Sequence, residues 1–405
     1  MAIGIVCEYN PFHKGHLYHL QSARTAYADH FDCSPSNIPI ICVMSGHYVQ
    51  RGEPALLDKW TRTRMALAAG ASLVIELPTY YSTATAEWFA LGAISLLHHT
   101  GLVDSISFGM EAPEQLPDLQ KLCSHLVPES DQFRRLLQEH LASFPSFAAA
   151  RQATLESLIQ TPLALQSPNT ILVLEYLKSI AKFSWTPILF PVTRASAGYH
   201  DLSIDAKFPS ASAIRRQAGK GHSILPYLPD CCAPFISEHS IFTQDLMQHL
   251  NFALSFYTEE NLRQIDEITE GLENRILAIA NDSPSYNDFL ERLKTKRYPT
   301  SRLRRILLNT LLHITTTRKK ELLFSEGPAY IRVLGFRKEH QLLLSQLNQK
   351  ATLPVITNLS RQLNSLPPRA LEMLTDELRF SKIYSSVHPT LQQDCEFRTP
   401  LIVFE

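Results

Sequence analysis

The chain has 405 residues, with 38 Lys plus Arg against 39 Asp plus Glu, 45% apolar residues and 19% charged ones. That balance excludes intrinsic disorder and a globally basic nucleic-acid binder, so any contact with RNA or DNA has to come from a local patch. The length suits about two to three domains.

The seven cysteines contain no C-x-x-C spacing and are odd in number. This argues against a zinc ribbon or a disulfide framework and for small buried thiols in a reducing compartment. No run of about 18 apolar residues offers a membrane span. Glu8 interrupts the apolar opening, and no basic segment precedes it. A signal peptide is therefore not expected, and a soluble cytoplasmic protein is.

In chain order, apolar runs predict strands at 3–7, 38–44, 73–77 and 105–108. Helical periodicity fills the intervals at 16–27, 55–69 and 84–98. Strand and helix alternating at this spacing implies βαβ units and a parallel sheet covered on both faces. Ligands of such sheets sit beyond the carboxyl ends of the strands. Residues 114–185 read as helical, 187–192 as one more strand, and Ser210 as the N-cap of a helix. Pro226, Pro229 and Pro234, with Cys231 and Cys232 among them, place a domain boundary between a region 1–225 and a region 235–405. The second region is helical over 240–325 and mixes helices with a β-like piece at 351–356.

The strongest chemical signal is Glu8-Tyr9-Asn10-Pro11-Phe12-His13-Lys14-Gly15-His16, where the first strand gives way to the first helix. A His-x-Gly-His string is expected by chance only about 0.02 times at this composition. A helix N-terminus offers unpaired N–H groups and a positive dipole end to a phosphate. Gly15 removes a side chain that would keep a phosphate from that backbone. His13 and His16 fall on one side of the first turn. There, two imidazoles can donate to phosphate oxygens as charge builds in phosphoryl or nucleotidyl transfer. The plainer alternative is that both rings satisfy backbone groups. A metal site of His13, His16 and His19 is weaker, because no usual further ligand accompanies them.

The segment 44–54 follows the second strand and opens at the same rim, either as an ordinary loop or for substrate recognition. Lys59, Arg62 and Arg64 continue its positive character, although such a helix face is usually solvated. Gly109, after the fourth strand, lets a base or ribose pack on the backbone. Asn169 reads a base edge or caps a helix, the cap being favoured. Arg194 is a candidate phosphate clamp. Ser210, Ser212 and Arg215, at another helix start, are candidates for the outgoing pyrophosphate. Further on, Lys294, Lys296, Arg297, Arg302, Arg304 and Arg305 fall within twelve residues around Tyr298, with Arg318, Lys319 and Lys320 beyond. This excess suits an RNA backbone, with Tyr298 available to stack. A solvated helix face is the alternative.

Taken together, these motifs resemble the nucleotidyltransferase superfamily related to class I aminoacyl-tRNA synthetases. More narrowly, the opening motif continued through Leu17, Tyr18 and His19 resembles the tRNA(Met) cytidine acetate ligase family. Segments 43–54, 73–78, 108–111, 168–172, 198–201 and 210–215 match that family in order, and 298–308 and 332–336 match more weakly. The resemblance implies a Rossmann-like, HUP-type nucleotidyltransferase sheet domain followed by a mainly α-helical C-terminal region. It implies an enzyme that activates acetate with ATP as acetyl-adenylate. The acetyl group then passes to the exocyclic amine of the wobble cytidine of elongator tRNA(Met), forming N4-acetylcytidine. ATP would be bound by the stretch Val6-Cys7-Glu8-Tyr9-Asn10-Pro11-Phe12-His13-Lys14-Gly15-His16-Leu17-Tyr18-His19 and by Gly109, Asn169 and Arg194. His13 and His16 would be catalytic, Mg²⁺ would screen the phosphates, and the basic stretch would hold tRNA; neither membrane nor DNA is an expected partner. Two positions depart from the family's usual pattern: Lys14 and Thr170 each stand where Asn is common. Two rival readings share the first domain. One is an adenylyltransferase acting on a small phosphorylated metabolite. The other is a non-catalytic RNA-binding protein with a nucleotide pocket.

Overall fold

The computed structural model describes residues 1–144, 147–159, 167–194, 208–236, 239–269, 271–280, 282–295 and 298–405. Its strands among these are β1 (Ala2–Cys7), β2 (Ile40–Ser45), β3 (Tyr48–Val49), β4 (Glu53–Pro54), β5 (Leu73–Leu77), β6 (Val103–Met110), β7 (Ile188–Thr193), β8 (Ile331–Arg337), β9 (Val355–Ile356) and β10 (Ile402–Phe404). One sheet runs β10-β8-β5-β2-β1-β6-β7, with β9 beside β8, while β3 and β4 pair separately. The stretch β5-β2-β1-β6-β7 is wholly parallel. Strand order reverses between β1 and β6, so a crevice opens there beyond their carboxyl ends.

The apolar runs are continuous because both faces of the sheet are covered. Ile3, Ile5, Ile40, Cys42 and Met44 pack into one core with Leu20 and Ala23 of α1 (Lys14–Phe31) and Met65 and Ala66 of α2 (Lys59–Ala68). Their neighbours Ala2, Ile41, Val43, Ile75 and Ile106 pack into the other core, under the helices Ala86–His99 and Pro168–Lys182. Each fully buried branched side chain contributes about 1.5–3 kcal/mol. Gly4 lets the first of those helices approach β1, since a Cβ there would lie 2.9 Å from Leu97.

The predicted strands fall on β1, β2, β5, β6 and β7, and only the end of the piece at 351–356 is extended, as β9. The C-terminal region is mainly helical, as expected, but it also returns strands to the sheet. β8 pairs antiparallel with β5 and carries β9 and β10, so the sheet crosses the boundary expected near 225–235. Without β8, the ladder groups of β5 would stand unpaired at an edge. The helices between Met247 and Leu312 build a third core, centred on Leu250, Ile276, Phe289 and Leu303. No helix among the described residues is long and apolar enough to cross a membrane.

The helix face carrying Lys59 and Arg62 is not solvated: both side chains are fully buried. Lys59 Nζ lies 2.5 Å from Glu76 and 2.6 Å from Glu396, and Arg332 lies 3.0 Å and 2.5 Å from the same two carboxylates. This ring of two cations and two anions ties α2, β5, β8 and the C-terminal helix Cys395–Arg398 together. Burial alone would raise the Glu396 carboxyl, but Arg332 and Lys59 together hold it well below the usual range.

Candidate active site

The turn from β1 into α1 is set by its own side chains. Tyr9 adopts φ +47°, a left-handed conformation costly for a residue with a Cβ, and its ring is buried edge-on against Phe12 and His16. His13 is the N-cap of α1, extended at φ −143°. Its Nδ1 accepts the N–H of Gly15 at 3.1 Å, and the Nδ1 of His16 accepts the N–H of His13 at 3.2 Å. Two of the helix's unpaired donors are thereby satisfied by imidazoles in a reciprocal capping arrangement. The rings stack with centroids 3.7 Å apart and planes 25° from parallel. The role of Gly15 differs from the expected approach of a phosphate to the backbone. A Cβ there would meet His13 Cε1 at 2.9 Å, so glycine makes room for the capping ring.

Nδ1 atoms that accept N–H groups carry no proton, so in the neutral rings the proton sits on Nε2. Burial, reinforced by Arg194 and Arg215, lowers the His13 pKa to about 3. Burial, with His13 and Arg194 adding to it, holds His16 well below its ordinary value. His19, lowered to about 4 chiefly by burial, meets Ser107 Oγ at 3.0 Å. Near neutral pH, His13 and His16 are therefore uncharged donors through Nε2–H.

Arg62 fixes the floor. Its guanidinium donates to the carbonyls of Leu57 at 2.9 Å, Glu8 at 2.7 Å, Ser45 at 3.0 Å and Gly46. A buried cation with four of its five donors engaged thus pins the loops that leave β1 and β2. The amide N–H of Leu56 donates to Asn10 Oδ1 at 2.8 Å, and Arg215 donates to the Asn10 carbonyl at 2.9 Å.

The cleft, of about 290 Å³, lies at the switch point. It is lined by Val6, Cys7, Glu8, Tyr9, Asn10, His13, Gly15, His16, Tyr18 and His19, and across the mouth by Gly109, Asn169, Arg194, Ser210, Ser212 and Arg215. Four members of the expected stretch do not line it. Pro11 and Phe12 are buried, Leu17 packs against a core, and Lys14 donates to the Pro226 carbonyl at 2.8 Å. Gly109 faces the cleft beside the stem of Arg194, whose Cγ would stand 3.2 Å from a Cβ there. Asn169 does not cap its helix, for Ser167 holds that position. Its amide instead bonds Glu111, and its Oδ1 receives Arg194 Nη1 at 3.3 Å. Ser210 caps the helix Ala211–Ala218 through Ala213 N at 3.2 Å, and Arg215 reaches Ser212 Oγ at 3.3 Å. The family-like segment 198–201 lies outside the described residues. Phe89, Phe108 and Tyr176 also wall the cleft; their apolar pattern marks them only as core in the sequence.

The basic stretch does not line this cleft but touches its wall, since Arg304 shares Glu53 with Arg215, and it is largely ion-paired. Arg305 meets both oxygens of Glu267 at 2.8 Å, Arg302 donates to the Glu267 carbonyl at 3.0 Å, Arg304 pairs with Glu53, and Lys294 with Glu291 at 2.5 Å. Tyr298 is not available to stack: it is buried and donates to the Thr269 carbonyl at 2.6 Å. Lys296 and Arg297 lie outside the described residues.

A parallel sheet with a histidine-capped helix at its switch point defines a nucleotidyltransferase of the HIGH class, and the family model described as HIGH Nucleotidyl Transferase matches residues 1–397. A protein of Thermoanaerobacter sp. (strain X514) named tRNA(Met) cytidine acetate ligase is 39% identical over 368 residues, covering 89% of each chain. Its namesake from Halothermothrix orenii is 36% identical over 417 residues, 97% of this chain and 95% of the other. The crystal structure of Thermotoga maritima TmcAL in its apo form superposes over 100% of both chains with a TM-score of 0.89 at 32% identity, and the form bound with alpha-thio ATP with 0.87 at 31%. The chain belongs to the tRNA(Met) cytidine acetate ligase family.

Proposed function

We propose that this chain activates acetate with ATP and acetylates the wobble cytidine of elongator tRNA(Met). The observation that carries this reading is the pair of uncharged imidazoles in the switch-point cleft, each with Nδ1 engaged and Nε2–H free to donate. In the first step an acetate oxygen bonds the α-phosphorus and pyrophosphate leaves. His13 and His16 donate to the phosphate oxygens where charge develops, at no cost in proton transfer. Arg194 and Arg215 supply the positive charge that the neutral rings lack, and Ser210 and Ser212 stand at the helix start beside Arg215 for the departing pyrophosphate. In the second step the exocyclic N4 bonds the acetyl carbon, the bond from that carbon to the phosphate oxygen breaks, and AMP leaves. The mixed anhydride matches a weak nucleophile whose lone pair is delocalised into the ring. The base has to leave the anticodon stack to reach it.

The helical module from Met247 onward, with its arginines oriented by Glu267 and Glu53, is the proposed seat of the tRNA backbone. Among the described residues no three His, Cys, Asp or Glu side chains gather as a metal cage. Mg²⁺ would come with the triphosphate whose charge it screens. The setting is proposed to be the cytoplasm. Purified protein incubated with ATP, labelled acetate and bulk tRNA tests the whole reading. N4-acetylcytidine in the digested tRNA is the expected product. Pyrophosphate release that needs an added phosphorylated metabolite and not acetate would favour a small-metabolite adenylyltransferase, and no nucleotide turnover at all a binding protein.

A further inference from the structure

Acetyl transfer leaves a proton to be disposed of, and the two histidines are not placed to take it. As N4 bonds the acetyl carbon it becomes positively charged, and one of its hydrogens has to leave for the neutral amide to form. The Nδ1 atoms of His13 and His16 are occupied by backbone N–H groups, and their Nε2 atoms already carry protons. Both rings can only donate.

Among the described residues lining the cleft, one carboxylate is present: Glu8, at the carboxyl end of β1. Its Oε1 accepts the N–H of Gln50 at 2.7 Å, which orients the group, while Oε2 makes no hydrogen bond among the described residues. Its main-chain carbonyl is clamped by Arg62 at 2.7 Å, so the carboxylate stands on a rigid base. The charged and titratable groups around it are Arg62 from α2, Arg51 after β3, Arg215 from the helix Ala211–Ala218 and Tyr176 from the helix Pro168–Lys182.

We infer that Glu8 receives the amine of the target cytidine through Oε2 and takes the proton that N4 loses during acetyl transfer. A carboxylate accepting from cytosine N4 is the natural partner of that base edge. The same contact reads the amine, since a uracil would offer O4, an acceptor, to an acceptor. In the balanced step N4 bonds the acetyl carbon, the carbon–oxygen bond to phosphate breaks with its electron pair going to AMP, and the N4 proton ends on Glu8 Oε2. Burial, opposed by the Gln50 N–H and then by Arg215, Arg51 and Arg62, raises the Glu8 carboxyl above its ordinary range, nearer the pH at which it has to act.

This inference rests on the acetyl-transfer reading above, and its test separates the two. Acetate-dependent ATP–pyrophosphate exchange and single-turnover transfer from preformed acetyl-adenylate to tRNA are measured for the wild type, E8Q and E8D between pH 5 and 9. E8Q is expected to slow transfer by about 100-fold or more, a loss at least about tenfold greater than its loss of exchange. The wild-type transfer rate is expected to rise with pH through the Glu8 titration and then level, a limb that E8Q lacks and E8D keeps at a displaced pH. E8Q transferring at the wild-type rate, losing exchange as much as transfer, or retaining the limb overturns the assignment. If E8Q does not fold, an E8D limb coincident with the wild type's overturns it and a displaced one supports it. A wild type that exchanges but transfers no acetyl group to tRNA removes the function itself, and this inference with it.

Discussion

His16 Nδ1 accepts the backbone N–H of His13 at 3.2 Å, so each histidine of the motif helps to hold the other. The ring of one is oriented by the backbone of its partner, and the partner's ring by Gly15. The plainer reading of the motif, backbone satisfaction, and the catalytic one are thus the two ends of the same side chain. Nδ1 builds the helix start and Nε2–H is left for the substrate.

His16→Ala is expected to lower acetate-dependent AMP formation by about 100-fold or more while the protein stays folded. Steady-state AMP release, paired with a thermal melt, checks this. Near-normal turnover would remove His16 from the chemistry. Gly15→Ala should act on the same step without touching either imidazole's identity, because its Cβ would force the His13 ring from a 2.9 Å contact. An adenylation rate within a few-fold of wild type would mean that the ring can shift and still function.

Much of this arrangement is legible in the sequence, and the reasons for the rest are physical. Strand runs such as those of β1 and β5 are continuous and apolar because both sheet faces are covered, a local signal. The His-x-Gly-His string sits at a predicted strand end, so its place at the crevice follows from topology rules. The destination of β8 does not follow: Ile331–Arg337 is separated by over 250 residues from its partner β5, and nothing local in either strand names the other. The burial of Lys59 and Arg62 is illegible for the same cause: Glu76 and Glu396 meet Lys59, and the carbonyls of Glu8, Ser45 and Gly46 meet Arg62, only in three dimensions. Asn169 read as a cap because Asn near a helix start usually is one; its true partners, Glu111 and Arg194, lie 58 and 25 residues away.

Lys59→Met should be among the most destabilising changes in the chain. It leaves Glu76 and Glu396, both buried, with Arg332 alone, and breaking a buried charge set in this way costs about 3–5 kcal/mol. Urea unfolding measures it. Glu76→Gln added to Lys59→Met should recover part of the loss, since one unmatched anion then disappears. An additive further loss would contradict the ring as drawn.

Glu377 supplies a pH dependence of stability. Its oxygens accept from Thr79 N at 2.7 Å and Thr79 Oγ1 at 2.8 Å. Burial, with Glu76 adding to it, pushes the carboxyl up to about 7. The folded value then exceeds the unfolded one near 4.5. The folded state therefore binds the extra proton, and Glu377's contribution is fully present below about 4.5 and lost as pH rises through 7. Glu377→Gln removes that loss. Its unfolding free energy relative to wild type should climb between pH 4.5 and 7 and level above, as urea titrations across that range would record. A difference independent of pH would place the proton elsewhere.

The proposed tRNA surface is tested by salt. Each phosphate contact surrendered should flatten the slope of log affinity against log salt by about one on duplex nucleic acid and somewhat less on single strands. Arg302, Arg304 and Arg305 are unequal in what they have left to offer. Arg305 is spent on a two-point pair with Glu267 and its side chain is 11% exposed, whereas those of Arg302 and Arg304 are 32% and 29% exposed. Neutralising all three is therefore expected to flatten the slope by about one to two rather than three. The unfolding midpoint should fall as the helix Thr300–Leu312 loses its hold on Glu267, and ATP affinity should weaken only through Arg304, whose loss leaves Glu53 to Arg215 of the cleft. Filter binding of elongator tRNA(Met) across a salt series, beside a melt of the same variant, separates the two effects. A lower midpoint with an unchanged slope would leave these arginines as ties between the helical module and the sheet, and the tRNA backbone would have to be met by other cations.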